Sequence, residues 1–126
     1  MRALMLFAAF FIATPSMADE KIDQQLEVCI ESGKTTADFL RCFNIADKAI
    51  DDQLNVIWGK LKSTADKTTS QEVLAAQRLW LKFRDKACPS YAEYGSMGRT
   101  FERQCRYDVV RHRVEELTKI YDFVSF

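Results

Sequence analysis

Four cysteines, Cys29, Cys42, Cys88 and Cys105, are the residues best placed to do chemistry, and their spacings are C-x12-C and C-x16-C. Thiols act as nucleophiles, ligate zinc or close disulfides. The tight C-x2-C pairs usual in a tetrahedral zinc site are absent. His112 is the single histidine, set in Arg-His-Arg, where two like charges disfavour its protonation. It reads as a surface helix residue, and no serine–histidine or cysteine–histidine pattern forms if the thiols are paired. The carboxylate pairs Asp51-Asp52 and Glu115-Glu116 are adjacent, so on a helix they point to different sides and cannot flank one substrate bond. With no phosphate loop and no metal-ligand cluster, neither an enzyme nor a cofactor nor a metal is expected. An even cysteine count behind an export leader reads as a disulfide framework.

The leader is legible. Arg2 supplies a positive start, Ala3 to Ala13 is unbroken apolar sequence, and Thr14-Pro15 breaks it. Ser16-Met17-Ala18 then places small residues at a cleavage site before Asp19. Residues 1–18 are read as a signal peptide and residues 19–126 as one helical domain. The apolar run is shorter than the roughly 20 residues that span a bilayer, and no later segment is long enough. The protein is expected in the periplasm or outside the cell, with no membrane insertion once the leader is removed. Without the leader the chain has 17 Lys plus Arg against 18 Asp plus Glu, a balance that argues against a nucleic-acid binder. The charge is uneven: Asp19 to Glu72 is acidic and Arg78 to Arg113 basic. Such charges either solvate helix faces or orient a charged partner.

The elements that must position these residues are helices throughout. Ile22, Leu26, Cys29 and Ile30 recur at helical spacing up to a stop at Gly33. Thr35 or Thr36 caps a long second helix striped by Phe39, Phe43, Ala46, Ile50, Leu54, Ile57 and Leu61. Ser63 to Ser70 reads as a turn. Thr69-Ser70-Gln71-Glu72 has the form of a capping box opening a third helix, with Val73, Ala76, Trp80, Phe83 and Ala87 on one face. Pro89 ends it. Residues 89–99 read as a loop, and a fourth helix runs from about Thr100 to Tyr121, with Phe101, Cys105, Val110, Val114 and Leu117 on its apolar side. No strand pattern is sustained. The fold expected is all-α: a small bundle of three to four helices stapled by two disulfides. Four cysteines allow three pairings. The neighbour pairing, Cys29 with Cys42 and Cys88 with Cys105, is favoured because both turns bring helix ends together.

The stretch Leu74 to Cys88, LAAQRLWLKFRDKAC, resembles the Q-x-x-W-[LIV]-x-[FY]-R-D-x-x-C signature of the LprI-like lysozyme inhibitor family. Other parts agree in order: the early cysteine, TTADFLRC, the D-x-x-LN pattern of Asp51, Leu54 and Asn55 with Trp58 beyond it, and an R-x-x-E-L at Arg113, Glu116 and Leu117. The family's Gly-Gly-Ser/Thr appears here as Tyr94-Gly95-Ser96, and the threonine usual three residues before the late arginine is Val110. The resemblance implies an exported, disulfide-linked helical domain that inhibits lysozyme.

The signature residues Gln77, Trp80, Arg84, Asp85 and Arg113 have a structural reading. Trp80 fills the core, Gln77 bonds a neighbouring backbone, and Arg84 pairs with an acidic residue. The rival reading is a Trp/Arg hot spot for a partner. The loop offers a better recognition surface: Tyr91, Tyr94, Gly95, Ser96 and Arg99 group aromatic, hydroxyl and cationic chemistry on a constrained segment. The partner expected is a lysozyme-type peptidoglycan hydrolase, bound by occlusion of its cleft, with the acidic Asp19–Asp52 half, Asp47, Asp51 and Asp52 within it, as a second, steering route. The alternative is a periplasmic interaction module with another target, an immunity protein against a delivered toxin or an envelope-stress factor.

Overall fold

The computed structural model describes residues 17–126, and over them the chain is all helical. Helix α1 spans Met17–Ser32, α2 Thr36–Thr64, α3 Lys67–Ala87 and α4 Gly98–Val124. Two short 3-10 turns, Pro89–Glu93 and Gly95–Met97, join α3 to α4. The expected leader lies outside the described residues except for Met17 and Ala18, which open α1. Among the described residues no helix is long and apolar enough to cross a membrane.

Helix α2 forms where the apolar stripe predicts it. Phe43, Ala46, Ile50, Leu54, Ile57 and Leu61 are all buried, and they meet Tyr107, Val110, Val114 and Leu117 of α4. Ile50 and Leu117 are wholly buried; each such side chain contributes about 1.5–3 kcal/mol relative to exposure. Among the described elements the α2–α4 pairing is the most extensive, α1 lies against α2, and α3 rests more lightly on α4. The N-terminus of α2 carries a reciprocal cap. Thr35 Oγ1 accepts from the Asp38 N–H at 3.1 Å, and Asp38 Oδ2 accepts from the Thr35 N–H at 3.1 Å. The Lys34 and Thr35 groups hold the Asp38 carboxyl below its ordinary pKa.

Five expectations are corrected. Helix α1 starts at Met17, five residues before Ile22. Helix α3 is opened by Asp66, not by a Thr69–Glu72 box: the Asp66 carboxylate accepts from the Thr69 N–H at 2.8 Å, so Thr69 is already inside the helix and the turn before it is short. The inward face of α3 carries Val73, Gln77 and Trp80, while Ala76 and Phe83 face solvent; lightly packed α3 has more apolar residues than its narrow contact can bury. Phe101 is likewise exposed, and α4 begins at Gly98, before Thr100.

Candidate functional site

Both disulfides adopt the neighbour pairing, and no free cysteine remains. Cys29–Cys42 ties the end of α1 to the second turn of α2, with the Cα atoms 5.7 Å apart. Cys88–Cys105 joins the end of α3 to α4 at the same separation and closes the intervening segment into a ring. Among the described residues no group of three or more His, Cys, Asp and Glu side chains is placed to hold a metal ion.

Inside that ring the loop is held at several points. Pro89 begins the first 3-10 turn, the Tyr91 N–H donates to the Cys88 carbonyl at 3.0 Å, and the Tyr94 N–H donates to the Tyr91 carbonyl at 3.1 Å. The chain then reverses at Gly95, whose φ of 66° is a region that L side chains rarely adopt. At Gly98 the backbone runs so close to the first turn that a Cβ would lie 2.6 Å from the Ala92 carbonyl oxygen and 2.8 Å from that of Tyr91. Thr36 Oγ1 donates to Met97 Sδ at 3.7 Å and ties the loop to the start of α2. On this fixed backbone the expected side chains point outward. Tyr94 is 70 % exposed and Tyr91 44 %, with their rings 6.4 Å apart and tilted. Ser96 and Arg99 are exposed too, and Arg99 borders a shallow depression of about 430 Å³ with Asn44, Ala92 and Arg103.

Arg103, which lines this depression, also approaches Asp47, a residue whose environment the sequence did not announce. Asp47 is buried on α2, and neither carboxylate oxygen has a hydrogen bond among the described residues; Arg103 Nη1 is 3.7 Å away. Burial raises its pKa to about 6, against the opposing pull of Arg103 and Arg106. Asp47 is therefore no surface charge, which corrects its place among the steering acids. Asp52 is exposed but bound to Lys48 at 2.8 Å.

The signature residues meet one another across α3 and α4. Among the described residues Gln77 bonds no backbone group; its Oε1 accepts from Arg113 Nε at 2.9 Å. Arg113 also reaches Glu116 at 2.8 Å and lies 5.8 Å from the Trp80 ring centre. Arg84 covers the same ring at 5.7 Å and pairs with its neighbour Asp85 at 3.0 Å. Trp80 is half-buried against the core between two guanidinium groups, a cation–π arrangement on a partly desolvated ring. Asp85 itself is exposed.

A third polar group was missed in the sequence. Asp23 of α1 accepts from Tyr107 Oη and from Arg111 of α4, the latter at 2.9 and 3.0 Å, and Arg111 also holds Glu115 at 2.6 Å. Burial, then the Asp23 hydrogen bond, drives the Tyr107 pKa upward. No local signal marks this pairing, because its partners are 88 residues apart. His112 lies exposed beside it.

Residues 29–117 match the sequence model of the family described as Lysozyme inhibitor LprI. The match begins at the first cysteine and ends at the wholly buried Leu117, so it contains both disulfides, the loop and the α3–α4 cluster. No curated protein and no solved structure matches the chain.

Proposed function

The chain belongs to the LprI lysozyme inhibitor family, a family of inhibitors and not of enzymes, and from that premise we propose that it binds a lysozyme-type peptidoglycan hydrolase and occludes its active-site cleft. It acts in the periplasm or outside the cell, after loss of the leader. Two disulfides suit an oxidising compartment outside the cytoplasm.

The observation that carries the occlusion reading is the disulfide-closed loop with exposed Tyr91, Tyr94, Ser96 and Arg99 on a backbone fixed at Gly95 and Gly98. A glycosidase cleft presents two carboxyl groups flanking the bond to be cut and binds an extended sugar chain. Tyrosine rings replace sugar faces there, and Arg99 or Ser96 donates hydrogen bonds to a carboxylate. A loop already ordered before binding loses little conformational entropy on docking, which favours affinity. The acidic steering route is the weaker one. Asp47 is buried and Asp52 paired, so of these three acids only Asp51 is left without an ion-pair partner among the described residues.

The test is a lysis assay. Purified residues 19–126 are added to a lysozyme-sensitive cell suspension, and lysis slows at stoichiometric protein. Tyr94→Ala and Arg99→Ala each weaken inhibition while unfolding free energy stays within about 0.5 kcal/mol, as befits exposed sites. Inhibition of no lysozyme type sinks the proposal and points to another envelope target. Full inhibition by the Tyr94→Ala/Arg99→Ala double variant removes the loop from the interface.

A further inference from the structure

The D-x-x-LN-x-x-W stretch of α2 and the signature of α3 are separate in sequence, and the loop reading uses neither. In the fold they line the two walls of one groove, about 540 Å³ in volume, in the range of small-ligand sites. Asp51, Asn55 and Trp58 come from α2, and Gln77, Arg78 and Arg84 from α3. Leu54, Leu74 and Leu81 supply apolar wall between them. The groove exists because α3 leans on α4 and leaves its α2-facing side open.

The polar groups in the groove are uncommitted where a ligand would need them. Asp51, Asn55 and Arg78 have no hydrogen-bond or ion-pair partner among the described residues. Gln77 is only 8 % exposed, and its oxygen is taken by the Arg113 guanidinium, which only donates. What Gln77 offers to the groove is therefore its amide N–H groups. Arg84 is held over Trp80 and against Asp85, which fixes its guanidinium at the rim. The groove thus sets a carboxylate, two amides and two guanidinium groups around an indole and a leucine wall.

That mixture does not suit an amphipathic helix, which needs a continuous apolar floor. It matches a sugar: planar carboxylate, amide and guanidinium groups bond hydroxyl rims, an aromatic ring covers the C–H face, and an acyl methyl packs on leucine. We propose that the α2–α3 groove is a binding site for a short chain of N-acetylated amino sugars. This goes beyond inhibition and does not depend on it, since the protein would hold such a glycan with no lysozyme present.

The experiment titrates tri-N-acetylchitotriose into the mature protein alone, followed by tryptophan fluorescence and by amide chemical shifts. Saturable binding is expected, with the largest shifts on residues 51–58 and 74–84. The exposed-site variants Asn55→Ala and Arg78→Ala each weaken it about fivefold, the change expected from one lost hydrogen bond, while Arg99→Ala leaves it unchanged. Absence of saturable change at millimolar sugar overturns the proposal. So does binding that ignores both groove variants. If those variants lower lysozyme inhibition while no sugar binds, the groove is a protein interface and the glycan assignment is wrong.

Discussion

The loop over residues 89–99 and the cluster on α3 and α4 are made of similar parts, aromatic rings and guanidinium groups, and they use them in opposite ways. In the cluster the groups satisfy one another. Arg113 bonds Gln77 and Glu116, and Trp80 lies between Arg84 and Arg113. In the loop the backbone is satisfied and the side chains are left over. The Cys88–Cys105 bridge, the 3-10 turns and two glycines fix the chain, while Tyr91, Tyr94, Ser96 and Arg99 stay in solvent. The contrast is that the most recognisable motif in the sequence spends most of its polar groups on one another, while the side chains of a less distinctive stretch stay in solvent.

Arg113→Ala probes this contrast with the largest effect. It leaves the buried Gln77 oxygen without its donor, removes the packed guanidinium stem and frees the exposed Glu116, and should cost about 3 kcal/mol in denaturant unfolding. Inhibition by the protein that remains folded should persist; its loss would put the cluster in the interface. Replacing Cys88 and Cys105 by serine should cost roughly 3 kcal/mol by the chain-entropy model. This double variant should also reduce inhibition at temperatures where the fold is intact, because the loop loses its closure. Retained potency would show that the 3-10 turns alone hold the loop.

Asp47 gives a pH signature. Its folded pKa of about 6 stands above the ordinary aspartate value of 3.8, so between those values the folded state holds a proton that the unfolded chain releases. Its contribution is fully present below the lower value and is lost as pH rises through about 6. Stability measured by denaturation should therefore rise as pH falls from 7 towards 4, by up to about 3 kcal/mol from this group. Asp47→Asn should flatten that slope, and an unchanged slope would mean that Asp47 finds a partner in solution. The smallest change expected is from Gly98→Ala, where the added methyl meets the Ala92 and Tyr91 carbonyls. It should cost about 1–3 kcal/mol, the usual range for overpacking, with a larger proportional loss of inhibition than of stability. Equal losses would say that loop shape matters little to binding.

Much of the architecture was readable because it follows from local period. The α2 stripe from Phe43 to Leu61 is buried as its spacing requires, and Pro89 ends α3 where its missing N–H predicts. The readable part of the candidate site was residue type: tyrosines, a serine and an arginine between two cysteines. Errors fell where two local signals competed. Asp66 and Thr69 are both good caps, and only the helix path decides which serves. Phe83 and Phe101 fit their apolar stripes but face solvent, because burial depends on whether a neighbouring helix arrives.

The sequence by itself determined the helical class, the cysteine framework and the family. Each rests on spacing within a few turns of chain or on the order of motifs along it. Tertiary structure alone decided which side chains are spent and which are free. It paired Arg111 with Asp23 and Arg113 with Gln77, and it buried Asp47 without a hydrogen bond. It also pressed Gly98 against the Ala92 carbonyl and opened a groove between two motifs. The physical reason is that desolvation and close approach depend on distant helices docking, and helical period carries no record of which helix comes to cover a given face.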